Sequence, residues 1–242
     1  MSDSTLPEPF QVESVISQRD DFPEFHDYAV LSPKSMEPGR EYPLVLFLHG
    51  AGERGDDLSK VLAHFPILMA TTYRDEFPAF VIIPQCEEDK FWARIHWRDP
   101  ESPMAEEPGS MMKMVMQILE EVLDHHPIDR RRIYLTGLSM GGFGSWELAI
   151  RLPEMFAALV PICGGGDPKR VINLRSLPIW SFHSADDNVV DVEHSRRLVR
   201  ALCEAGGDPK YTEYEDAGHH SWVPAYNPGT GLLKWMFAQQ KI

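Results

Sequence analysis

The chain has 242 residues, 43% of them hydrophobic and 25% charged, a globular balance that excludes an intrinsically disordered polypeptide. Its 23 basic and 37 acidic side chains leave a net charge of −14, which repels phosphate backbones and anionic lipid and argues against nucleic acid or a membrane surface as partner. The length fits one large domain over residues 1–242, no apolar run reaches the roughly 18–20 residues of a membrane span, and the polar start lacks signal-peptide features, so a cytoplasmic chain is expected, with a secreted chain whose signal has been removed as the alternative.

Residues 1–9 read as a loose lead-in, followed by two short β-rich segments at 11–17 and 25–31 that are expected to pair antiparallel. The run 43–48 is continuously apolar and stops at His49-Gly50. Continuous apolarity marks a strand covered on both faces, as in a parallel sheet flanked by helices. Similar runs recur at 80–83, 133–136, 157–162 and 179–182, and 211–214 alternates more. Helical spacing appears at 110–125, with Ser110 as candidate N-cap, at 142–152, at 192–205 and at 231–240. Strands alternating with helices define an α/β class with a doubly wound sheet.

One segment breaks this rhythm. Residues 85–109 show little periodicity, yet carry Trp92 and Trp97 among Arg94, His96 and Arg98. Loops of that length inside a compact domain are usually functional or disordered, and the tryptophans favour the first. The three cysteines, Cys86, Cys163 and Cys203, are too few and too widely spaced for a disulfide framework, and read as buried free thiols.

Gly137-Leu138-Ser139-Met140-Gly141 lies between the strand ending at Thr136 and the following helix. A serine on such a strand-to-helix turn projects its hydroxyl from the end of the sheet, and the flanking glycines relieve a crowded backbone. A serine hydroxyl attacks a carbonyl only with a base, and the base needs an orienting carboxylate. In this scaffold the chain order is serine, acid, histidine. Downstream, His183-Ser184-Ala185-Asp186-Asp187 and Gly218-His219-His220-Ser221-Trp222 both follow expected strands, where parallel sheets place their ligands. Spacing alone leaves Asp186 and Asp187 open.

These segments, with Leu48-His49-Gly50-Ala51-Gly52-Glu53-Arg54-Gly55, Pro84-Gln85-Cys86 and Cys163-Gly164-Gly165-Gly166-Asp167, resemble the α/β-hydrolase superfamily. The likeness is to its small carboxylesterases related to dienelactone hydrolases and prolyl-oligopeptidase-like esterases, and it covers roughly residues 40–225. It implies an α/β-hydrolase fold, a mostly parallel central sheet of about eight strands with helices on both faces. It also implies Ser139 as nucleophile, Asp187 as acid, His219 as base, and no cofactor. The chain departs from the family pattern at Ser184, where a glycine is usual, and at Asp191, where a proline is usual. The oxyanion donors would be the amides of Met140 and of Ala51, with Gly52 second.

Trp97 and Trp222 are the expected pocket walls, each balanced against a packing role. Glu53 and Arg54 form either a loop ion pair or a substrate contact. His49 and His183 are expected to shape their loops, and His64, His125, His126 and His194 to be solvated. A metal site is not expected, because no paired ligand motif is present. The reading is a serine carboxylesterase whose partner is a small-molecule ester, with no broad apolar lid and hence a preference for short acyl chains. Feruloyl or acetyl esters of plant polysaccharides, a peptidase, and a non-catalytic ligand-binding protein on the same fold are the alternatives.

Overall fold

The structure is a computed structural model, and it describes residues 6–19, 22–63 and 71–241. Eight strands form one sheet: β1 (Gln11–Arg19), β2 (Phe22–Leu31), β3 (Tyr42–Leu48), β4 (Phe80–Pro84), β5 (Ile128–Leu138), β6 (Ala158–Ile162), β7 (Trp180–Ser184) and β8 (Lys210–Tyr214). Their order is β1-β2-β4-β3-β5-β6-β7-β8. The β1–β2 and β2–β4 pairings are antiparallel and all others are parallel.

Strand β3 explains why the apolar run at 43–48 had to be central. Leu44, Leu46 and Leu48 enter one hydrophobic cluster, while Val45 and Phe47 enter the other. Alternate residues point to opposite faces, so a strand apolar at every position needs cover on both. On the first face lie α2 (Ser110–His125), α3 (Met140–Arg151) and α4 (Glu193–Glu204). The second is covered by Trp222, Ala225, Leu232, Leu233 and Met236 from α5 (Trp222–Ala225) and α6 (Leu232–Phe237). A short helix α1 (Thr71–Glu76) precedes β4.

Several boundaries differ from expectation. Helix α2 starts at Ser110, but its cap is Gly109, in extended backbone with no capping side chain. Helix α3 begins at Met140, directly after the serine, and α6 is shorter than the periodicity suggested. Helices α1 and α5 are too short for their periodicity to register.

From β3 the chain builds β4 on one side, then returns through α2 to place β5 on the other. The crevice between the C-terminal ends of β3 and β5 is therefore the topological switch point, where open α/β sheets bind ligands. His49-Gly50-Ala51 leaves β3 there, and Ser139 leaves β5.

Candidate active site

Ser139 joins β5 to α3 with φ 53° and ψ −119°, a conformation a non-glycine residue adopts only under constraint from its surroundings. Its amide donates to Ile162 O at 2.9 Å, and its carbonyl accepts from the Phe143 amide at 3.1 Å. The neighbouring glycines make the bend possible. A Cβ on Gly141 would stand 1.9 Å from the Leu48 carbonyl oxygen, and one on Gly137 2.5 Å from the Gly141 oxygen.

His219 sits on a single helical turn, Gly218–His220, after β8. Its Nε2 lies 2.9 Å from Ser139 Oγ, and its Nδ1 lies 2.8 and 3.1 Å from Asp187 Oδ2 and Oδ1. An ionised carboxylate only accepts, so Nδ1 carries the proton and Nε2 is left to accept from the serine hydroxyl. Asp187 also accepts from the Val189 and Val190 amides at 2.9 and 3.0 Å, and His183 Nε2 is 3.3 Å away. Burial pushes the Asp187 carboxyl up, but the hydrogen bonds from His183, His219, Val190 and Val189 outweigh it and hold the group well below the usual carboxylate range.

Asp186 faces elsewhere. Its Oδ1 accepts from Ser184 Oγ at 2.6 Å and from the Gly218 amide at 2.8 Å, tying the β7 loop to the histidine loop. His220 is exposed and packs on Trp222, with ring centroids 4.8 Å apart.

The two short loops beside the serine are shaped by His49. Its Nε2 accepts from the Cys86 amide at 2.9 Å, so Nδ1 is the donor to Gly50 O at 2.6 Å. Burial pushes its pKa down to about 4, and the ring stays neutral. Ala51 opens the turn Ala51–Glu53, and Met140 opens α3. Amides in the first turn of a helix have no carbonyl partner within it. Both residues line the same cavity as Ser139.

That cavity encloses about 310 Å³. Phe91, Ala93, Ile95 and Trp97 from the 85–109 loop form one wall, and Phe143, Val189 and Val190 another. Trp97 is therefore on the wall. Trp222 is not: it is 6% exposed and absent from the lining, and its ring meets His219 edge-on at 5.4 Å. It buttresses the imidazole, because the helical turn carrying His219 runs straight into α5.

The 85–109 loop has no helix or strand, yet buried polar groups hold it at several points. Trp92 Nε1 donates to His49 O at 3.0 Å. The Arg94 amide donates to Glu147 Oε2 at 3.1 Å, and Glu147, 2% exposed, pairs with Arg151 at 2.9 Å. Arg151 also donates to the Ala105 and Glu106 carbonyls at 2.8 and 2.9 Å. Asp167 accepts from the Met104 amide at 3.1 Å, and His194 Nε2 donates to Trp97 O at 2.8 Å. His194 is thus a buried loop anchor and not a solvated side chain. His126 is half-buried against Glu13 at 3.1 Å, His125 is exposed, and His64 lies outside the described residues. Cys203 is exposed, whereas Cys86 and Cys163 are buried.

Cys163 forms a cluster with Asp187 and His219 whose ligand atoms lie within 4.8 Å of one another. Burial pushes its thiol up to about 12, so it stays protonated, and His219 Nδ1 is committed to Asp187. Asp187 is the one ionised ligand of the three, and its oxygens already accept from His219, Val189 and Val190, so the set lacks the several free deprotonated donors that a metal needs.

Sequence reasoning missed the wall residues Phe91, Ile95, Phe143 and Val189 and the anchors Glu147 and Arg151. Phe143, one helical turn beyond Ser139, was recoverable, and so was a Glu-Arg pair at i, i+4 in an apolar helix. The loop residues left no periodic signal.

A sheet with antiparallel first strands and a parallel remainder, a serine on the β5 bend and helices on both faces define an α/β-hydrolase. More narrowly, the chain belongs to the phospholipase/carboxylesterase family, whose model matches residues 28–226. A crystal structure of a thermostable esterase superposes with a TM-score of 0.85 at 38% identity, over 95% of this chain and 63% of that one. A bifunctional acetylxylan esterase/xylanase of Neocallimastix patriciarum is 29% identical over 126 residues, 50% of this chain and 17% of that protein. A poly(3-hydroxyoctanoate) depolymerase of Pseudomonas fluorescens is 27% identical over 176 residues, 65% of this chain and 58% of the depolymerase. The chain thus spans less than two thirds of each of these relatives. Among the described residues no helix is long and apolar enough to cross a membrane.

Proposed function

We propose that the protein is a serine carboxylesterase acting on small or short-chain acyl esters. The observation that carries this reading is the continuous hydrogen-bond chain from Asp187 through His219 to Ser139, ending at a cavity wall. Ser139 Oγ attacks the ester carbonyl while His219 Nε2 takes its proton, and Asp187 holds the tautomer and stabilises the imidazolium. The Ala51 and Met140 amides receive the tetrahedral oxyanion, a contribution worth on the order of 100- to 1000-fold in turnover per donor. The alcohol leaves with the proton from His219. Water, activated by the same imidazole, then hydrolyses the acyl-enzyme. None of these steps requires a cofactor.

Cavity size supports the short-chain preference, since about 310 Å³ lies at the small end of ligand pockets. The acetylxylan esterase similarity keeps acetylated polysaccharide within this class, because the acyl group to be housed is equally small. A panel of p-nitrophenyl esters from acetate to palmitate, with acetylated xylan beside it, tests the reading on wild type and Ser139→Ala. Turnover should peak among the short acyl chains and vanish in the variant. A preference for palmitate, or full activity in Ser139→Ala, contradicts it.

A further inference from the structure

The cavity beside Ser139 contains one charged side chain among its lining residues, Arg54, in otherwise apolar surroundings. Its Nε donates to Ala51 O at 2.9 Å and its Nη1 to Lys90 O at 3.3 Å, and its guanidinium carbon lies 5.2 Å from the centre of the Phe91 ring. Among the described residues no carboxylate forms an ion pair with it, although most other arginines in the fold have one. A guanidinium has five N–H donors, so those on Nη2 and one on Nη1 remain for a partner. The contacts on Nε and Phe91 fix the fork relative to the oxyanion turn, whose first carbonyl it grips.

We infer that Arg54 selects esters that carry a carboxylate a short distance from the scissile carbonyl, a proposal that rests on the esterase reading above. A guanidinium in an apolar cleft gains most from an anion that can take two parallel N–H bonds, and a carboxylate has that shape. Beyond the loop wall the larger groove of about 1000 Å³ is lined by Lys90, Arg94 and Lys113 against Glu87 and Asp89. The chain as a whole carries a net charge of −14. Long-range attraction is absent in such a chain, so selection acts at contact and is seen as a ratio between charged and neutral isosteres.

The carboxylate can belong to the acyl part or to the alcohol part, and two substrate pairs separate these. Monomethyl glutarate against methyl glutaramate places charge or a neutral amide on the acyl side. Para-acetoxybenzoate against para-acetoxybenzamide does so on the alcohol side. Wild type should prefer the anionic member of one pair by about tenfold or more in kcat/KM, as expected for a charge-assisted bidentate contact. Arg54→Gln should collapse that ratio toward unity, and Arg54→Lys should restore part of it. Equal loss on both members would mean that Arg54 only braces the oxyanion turn, and would overturn the proposal. So would a wild type indifferent to charge in both pairs. Neutral-ester turnover that disappears in Ser139→Ala keeps the esterase reading standing in either case.

Discussion

Asp187 Oδ2 lies 2.8 Å from His219 Nδ1, while Asp186, its neighbour in the chain, turns away to Ser184 and the Gly218 amide. Adjacent carboxylates thus have different tasks: one faces the imidazole and the other clamps two loops. Asp187→Asn should lower kcat on a neutral ester by about 10⁴-fold, because an amide at this position permits the wrong imidazole tautomer. Asp186→Asn keeps an oxygen that accepts from Ser184 and Gly218 and loses only the charge, at an exposed site, so it should cost about tenfold or less. Steady-state kinetics on the two variants decides between them, and a near-complete loss confined to Asp186→Asn would reverse the assignment.

The serine bend depends on Gly141. An added Cβ would overlap the Leu48 carbonyl, so β3 and α3 would have to separate. Gly141→Ala should destabilise by about 3 kcal/mol or more, at the upper end of overpacking effects. Gly52 has nothing within 4 Å of its would-be Cβ, and Gly52→Ala should fold normally. Urea denaturation of the pair measures the contrast.

His49 should make stability depend on pH. Its pKa is pushed down to about 4 by burial, against 6.5 for an ordinary imidazole. Between those values the unfolded chain binds a proton that the folded one refuses, so stability is full above pH 6.5 and falls as pH drops toward 4. Its share of the loss between pH 7 and pH 5 is about 2 kcal/mol. His49→Gln should be less stable at pH 7 and show a shallower decline, which urea titrations at both pH values will reveal. An unchanged slope would place the pH sensitivity elsewhere.

Arg151 links α3 to the loop that walls the cavity. Arg151→Met strands the Glu147 carboxylate, which is 2% exposed, and breaks the bonds to Ala105 and Glu106. Losing one partner of a buried pair costs about 3–5 kcal/mol. Burial already raises the Glu147 pKa, so protonation should keep the loss near the lower end. The variant should also raise KM more than it lowers kcat and become susceptible to protease within 85–109. Pairing it with Glu147→Gln should recover part of the stability.

What could be read from the sequence follows from how local each cause is. The glycines around Ser139 and the unbroken apolarity of β3 answer demands made within a few residues, so both were visible. Asp187 and His219 were reached through chain order and family likeness, because the sheet that joins them spans distant segments. His194, expected to be solvated, and Trp222, balanced between wall and packing, were hard to place for the same reason: what they touch, the Trp97 carbonyl and the His219 ring, is remote in sequence or depends on an unforeseen helix. The wall residues Phe91 and Ile95 sit in a loop held by side chains rather than by backbone ladders, and such a loop has no period to detect.

The central claim is that His219 activates the Ser139 hydroxyl. Intact-mass spectrometry after brief exposure to a fluorophosphonate measures that directly. A single adduct should form on Ser139 in the native protein, be absent in Ser139→Ala, and form far more slowly in His219→Ala. A native chain that stays unmodified, or labels equally fast without His219, would contradict the account.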